Sequence, residues 1–110
     1  MDKNERQALL GALALSKKAG ALVLGFDAVA KCLSRGQVKL LLWATDLSPG
    51  TKKKLMQAAG PGQKARELPF TQGELAPICG KPVGVLALTD ENLVKLCLSK
   101  WQEERRIDTV

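Results

Sequence analysis

The stretch Lys39-Leu40-Leu41-Leu42-Trp43-Ala44 sets five apolar side chains in succession between a lysine and Thr45. An amphipathic helix spaces its apolar positions by three and four, and a half-exposed strand alternates them. A short unbroken run bounded by polar residues suits a strand covered on both faces. That reading calls for helices above and below one sheet. The segments on either side supply them.

Upstream, Asn4 to Ala19 has the period of an amphipathic helix, with Leu9, Leu13 and Leu10, Ala14 paired four apart. Lys17 and Lys18 stand in its last turn and Gly20 follows as a cap. Leu22 to Leu24 makes a very short strand. After Gly25 a second helix begins, with Asp27 in its first turn and Val29 and Leu33 inward, and it stops at Gly36.

Downstream, Ser48-Pro49 sets a capping hydroxyl before a first-turn proline, predicting a helix to Ala59. Ala65 to Leu68 is a weak strand, and Thr71 caps a short helix over residues 72–79. Val83 to Leu88 is a further strand. Asp90 and Glu91 open a last helix with Leu93, Cys97, Leu98 and Trp101 as its buried stripe, and Arg105 and Arg106 near its end. Helices alternate with single strands, so the expected class is α/β with helices on both sheet faces.

Length and composition agree. The chain has 110 residues, 45% apolar and 25% charged, which is ordinary for one soluble domain with a real core. Lys and Arg number 17 against 11 Asp and Glu, for a net charge of +6. The excess is uneven: residues 1–66 carry +8 and residues 67–110 carry −2. A basic surface concentrated in one part of a small protein fits a polyanionic partner, most often nucleic acid.

Several function classes drop out. There is no histidine, so Ser-His-Asp and Cys-His catalysis and His-containing zinc sites are excluded. Cys32, Cys79 and Cys97 are scattered and form no C-x-x-C pair, as expected of reduced cysteines in a cytoplasmic protein. No metal set, cofactor fingerprint or catalytic constellation is present: Gly60-Pro61-Gly62-Gln63-Lys64 matches no phosphate-loop pattern. The longest apolar run, Ala8 to Leu15, is far below the roughly 20 residues of a membrane span. Asp2, Glu5 and the lysines after Ser16 also depart from a signal peptide. The sequence therefore predicts a non-enzymatic, cytoplasmic protein with no membrane partner.

Two clusters of candidate binding residues remain. At Gly25-Phe26-Asp27-Ala28-Val29-Ala30-Lys31 a glycine opens a helix whose first N–H groups attract anions. Lys31 lies a turn further on, and Phe26 can stack on a splayed base or staple the helix to its core. Lys52, Lys53 and Lys54 fan over about 200° of helix surface, so all three cannot face one ligand. Asp46, just past the Leu40–Ala44 strand, sits where α/β sheets gather ligands, but a lone carboxylate there more often organises its loop.

Taken together, residues 9–25 (LLGALALSKKAGALVLG), 25–46 (GFDAVAKCLSRGQVKLLLWATD) and 48–55 (SPGTKKKL) resemble bacterial YlxQ-type proteins. These belong to the superfamily of ribosomal proteins L-seven-Ae and L-thirty-e, whose best-known members bind kink-turn RNA. The resemblance spans about residues 8–89 and is most specific at Gly25, Lys31, Arg35-Gly36 and the Lys39–Ala44 strand. Glu74-Leu75 and Gly80 fall at the family's E-L-x-x-x-x-G turn. The Gly25–Val29 wording is also similar to the form fused to a YlxR-type domain.

The resemblance implies a three-layer α/β/α sandwich around a mixed, roughly four-stranded sheet, and an RNA partner. Carried over by position, Gly25, Phe26, Asp27, Ala28 and Lys31 would meet the groove at sheared G·A pairs. Gly80, Lys81, Pro82 and Val83 would pack on an extruded nucleotide, and Lys17 and Lys18 would flank them, against phosphate. Apart from the resemblance, Lys17, Lys18, Lys31 and Lys52 are the lysines expected to supply counterion release to a bound RNA. One departure falls at the centre. Kink-turn binders carry Asn-Glu or Lys-Gln where this chain has Asp27-Ala28. Aspartate only accepts hydrogen bonds, whereas asparagine both donates and accepts. A protein-interaction module on the same scaffold is the alternative that this departure leaves open.

Overall fold

A computed structural model describes residues 2–101. Its elements run α1 (Lys3–Lys18), β1 (Leu22–Leu24), α2 (Phe26–Ser34), β2 (Leu40–Trp43) and α3 (Pro49–Ala59). They continue with β3 (Ala65–Glu67), α4 (Gln72–Cys79), β4 (Val85–Leu88) and α5 (Glu91–Ser99). The strands form one sheet in the order β1-β4-β2-β3. β4 is antiparallel to both β1 and β2, and β3 runs parallel to β2, so the sheet is mixed.

The apolar run sits in the middle of this sheet, as its pattern requires. All four residues of β2 are buried. Leu40 and Leu42 face a core shared with Leu9 and Leu13 of α1, Leu75 of α4 and Val94 of α5. Leu41 and Trp43 face the opposite core, with Val29 of α2 and Leu55 of α3. The alternation of a strand thus divides one hydrophobic run between two helical layers. The result is the expected three-layer α/β/α sandwich.

Local chemistry fixes the helix ends. The Asp2 side chain accepts from the Glu5 amide, and the Thr71 hydroxyl accepts from the Glu74 amide, each within a reciprocal capping box. Ser48 caps α3 before Pro49 at the first helical position. Arg6 joins α1 to the start of α4. One guanidinium nitrogen bonds Glu74 at 2.7 Å, another donates to the Pro69 carbonyl, and the group lies 4.8 Å from the centre of the Phe70 ring.

Three details differ from the sequence reading. In α5 the buried residues are Val94 and Cys97, while Leu93 is half-buried, Leu98 is 37% exposed and Trp101 is buried just past the end of the helix. Positions three apart share one face of a helix, and Leu93 and Leu98 fall on its two flanks. In α1, Leu9, Ala12, Leu13 and Ser16 turn inward and Ala14 outward, for the same reason. β4 starts at Val85 rather than Val83. Arg105 and Arg106 lie outside the described residues.

Of the cysteines, Cys79 and Cys97 are buried and Cys32 is half-buried, all as free thiols. Burial pushes the Cys79 and Cys97 thiols up; the nearby Lys17 ammonium opposes this for Cys79 and the Ser16 hydroxyl for Cys97. Among the described residues no helix is long and apolar enough to cross a membrane, and no cluster of His, Cys, Asp or Glu could hold a metal ion.

Candidate functional site

The start of α2 and the loop before β4 are some 55 residues apart in sequence and line one groove of about 460 Å³. The sheet brings them together. Gly25 follows β1, which pairs antiparallel with β4, and its amide donates to the Val85 carbonyl at 2.9 Å. Gly25 and Phe26 form one wall, and Lys81, Pro82, Val83 and Gly84 another. Asp46, Leu47, Ser48 and Thr51, from the end of β2 and the start of α3, close the third side, with Gln72.

Gly25 is the N-cap of α2 at φ 92°, a conformation open to glycine and strained for other residues, and it offers no side-chain cap. The first-turn amides of α2 are thus left without a side-chain acceptor. The positive end of the helix dipole adds to their attraction for an anion. Phe26 is the first helical residue. Half-buried, it rests on the core beside Val29 and also lines the groove. A staple would precede the cap, so Phe26 is not one in the strict sense.

Asp27, Ala28 and Lys31 take a different position. All three are exposed and lie on the outer stripe of α2, outside the groove lining. Each helical step turns by about 100°, which carries Asp27 and Ala28 away from the wall that Phe26 forms. They lie on the exposed face of α2 and not in the groove lining. Asp27 lies in the first turn, where a negative charge favours the helix but opposes an incoming phosphate.

The second wall is built around Gly80, which ends α4 in the left-handed conformation at φ 84°, its amide donating to Ala76. Lys81 and Pro82 are exposed, and Val83 is only 4% exposed, so it forms the floor. Lys17 reaches this loop from α1. Its ammonium donates to the Ile78 carbonyl at 3.1 Å, near the bare Cα of Gly80. It satisfies the end of α4, where a cation also complements the dipole. Lys18 is exposed beside it, on the flank with Ala14 and Leu15. Lys52 lies with its ammonium 5.2 Å from the centre of the Trp43 ring, a cation–π contact that leaves the residue exposed.

Four groove residues carry no sequence motif: Leu47, Thr51, Gln72 and Gly84. Asp46 organises the loop, as its lone carboxylate suggests, by accepting from the Gln72 amide at 3.0 Å. This ties the end of β2 to the start of α4. Leu47 and Gln72 then close over Gly84, where an added Cβ would lie 2.8 Å from Leu47 Cδ1 and 3.2 Å from Gln72 Cδ. A glycine between a turn and a strand is the one trace of this contact in the sequence.

The chain and its fold are similar to those of known proteins. The chain is 25% identical over 95 residues to "RNA-binding protein YlxQ" of Enterococcus faecium, covering 86% of this chain and 92% of that one. A Bacillus halodurans protein of unknown function has a similar structure, with a TM-score of 0.73 and 26% identity over 84% of this chain and 94% of that one. The Giardia lamblia 15.5kD RNA binding protein shares the fold, with a TM-score of 0.70 at 18% identity, covering 91% of this chain and 87% of that one. The family profile of "Ribosomal protein L7Ae/L30e/S12e/Gadd45" matches residues 7–98, from within α1 through most of α5, and the chain belongs to that family.

Proposed function

We propose that this chain binds structured RNA of the kink-turn-like or ribosomal class through the groove between the start of α2 and the loop before β4. The observation that carries this reading is the convergence of Gly25 and Phe26 with Lys81, Pro82 and Val83 on one cleft. That cleft combines the elements RNA recognition uses: uncapped amides at a helix start, an aromatic edge, an apolar floor and a lysine rim. Family membership and a relative named for RNA binding support it.

Within this reading each part has a role. Phosphate meets the first-turn amides of α2, with Lys31, Lys18 and Lys81 supplying counterion release. An extruded base lies against Phe26 and the Pro82-Val83 floor. Asp27 accepts from the N–H groups of a guanine edge and donates nothing, which shifts base preference away from that of an asparagine at the same place. Lys17 holds the Gly80–Val83 loop through α4.

Titration of the labelled protein with a kink-turn RNA, followed by amide chemical shifts, tests the placement. Gly25, Phe26, Lys81, Val83 and Gly84 are expected to move first. Cys32, Gly36 and Thr89 line a separate groove at the opposite end of the sheet and are expected to stay. Shifts confined to that opposite end would overturn the proposal.

A further inference from the structure

We propose that α3 provides a second contact for the RNA backbone: a phosphate track on the flank of the helix bearing Lys52 and Lys53, with Lys54 outside it. This rests on the RNA reading above and extends it beyond the groove.

The charge pattern of α3 is the first observation. Residues 49–59 contain three lysines and no Asp or Glu. The positions three and four away from each lysine are Ser, Pro, Gly, Thr, Leu, Met, Gln or Ala. A solvated helix surface usually intersperses opposite charges at those spacings, where each pair stabilises the helix. Here like charges adjoin instead, in the half of the helix nearest the positive end of its dipole. Among the described residues no carboxylate pairs with any of the three. Such departures from local optimisation gather where function demands them, and a polyanion relieves this one.

Geometry then separates the lysines. Pro49, Lys52, Lys53, Met56 and Gln57 line an open groove of about 560 Å³, which Lys54 does not enter. Pro49 and Met56 give it an apolar floor, and Lys52 and Lys53 line it beside them. Lys52 is held by the Trp43 ring, so its charge is presented at a fixed place.

Continuity identifies the occupant. Ser48 and Thr51 line the groove of the candidate site, while Pro49 and Lys52 line this one. The two grooves are separated by the first turns of one helix. An RNA strand that leaves the first groove across the start of α3 meets Lys52 and Lys53 next.

The test compares Lys53→Gln with Lys54→Gln, which differ in place and not in chemistry, using Lys31→Ala as the marker of the first groove. The probes are a minimal kink-turn RNA and versions with each stem lengthened in turn. Lys53→Gln is expected to weaken binding to one lengthened RNA three- to tenfold and to lower the log–log salt slope by about one. Lys54→Gln is expected to leave both unchanged. Equal weakening by the two variants would overturn the track and leave a diffuse positive surface. Neutral α3 variants beside a weakened Lys31→Ala would overturn the track while the RNA reading stands. A wild-type chain that binds none of the RNAs would end both. Selective loss of polyglutamate binding in Lys53→Gln with RNA binding intact would overturn the track alone and assign the flank to an acidic protein.

Discussion

The two helical layers of this molecule have been put to different uses. The layer of α1, α4 and α5 covers a core that runs from Leu9 to Trp101; α1 and α4 each begin with a capping box, and the Arg6–Glu74 pair joins these two helices. With their N-cap residues, these helices balance Lys3, Arg6, Lys17, Lys18 and Lys95 against Asp2, Glu5, Glu74, Asp90 and Glu91. The layer of α2 and α3 covers a smaller core around Val29, Leu41 and Leu55. It sets Lys31, Lys52, Lys53 and Lys54 against Asp27 alone. Its first helix starts on a bare glycine, which the other layer avoids throughout. One layer is optimised for itself, and the other leaves amides and ammonium groups unsatisfied. A partner is expected on the second.

The largest effect that tests this contrast lies in the cores. Leu75 and Leu55 are both fully buried, one in each layer. Truncation of either to alanine is expected to cost about 2–5 kcal/mol, with Leu75→Ala the costlier because a two-helix layer collapses more readily around the lost volume. Urea denaturation of both variants measures the difference, and the reverse order would break the comparison. Gly25→Ala comes next. At φ 92° a Cβ costs about 1–3 kcal/mol, and RNA affinity is expected to fall with stability because α2 must restart elsewhere.

Phe26→Ala separates stability from binding. Loss of a stacked base is expected to weaken RNA binding by about 1–2 kcal/mol, with a smaller drop in melting temperature from the half-buried ring. An unchanged Kd would make Phe26 a packing residue only. Gly84→Ala is expected to act more gently. The added methyl displaces the ends of Leu47 and Gln72, so RNA affinity falls a few-fold while the melting temperature stays nearly constant.

The smallest effect belongs to the self-satisfied layer. The Thr71 amide, with the Arg6 guanidinium adding to it, holds the exposed Glu74 carboxyl below its ordinary value of 4.5. A lowered carboxyl contributes stability above the unfolded value and loses it as pH falls through the folded one. Wild type and Glu74→Gln are therefore expected to differ slightly at neutral pH and to converge as pH falls through the lowered folded-state value, in melts across the acid range. A constant difference would remove the linkage.

Much of the fold could be read in advance because its signals are local. Leu40 to Trp43 announced a strand covered on both faces, and Ser48-Pro49, Thr71 and Asp90 each capped the helix expected of them. Rotational detail was less legible. Leu93 and Leu98 were expected in the stripe of α5, and only the neighbouring helix decides that Val94 and Cys97 take it. The site was legible in halves. Gly25-Phe26 and Gly80–Val83 were each identifiable, but their convergence depends on β1 pairing with β4, which no local pattern encodes. Leu47, Gln72 and Gly84 meet only through that pairing and the Asp46 bond. The hold of Lys17 on α4, and the Trp43 ring beneath Lys52, are likewise contacts between distant segments.

The most direct test of the central claim is binding of this chain to a kink-turn RNA, a matched simple duplex and an internal-loop control at two salt concentrations. Neutralisation of about four phosphates predicts an affinity that falls with salt at a log–log slope of roughly −3 to −4, with the kink-turn held more tightly than the duplex. Absence of binding to all three at low salt would contradict the account and leave the unsatisfied layer to a protein partner.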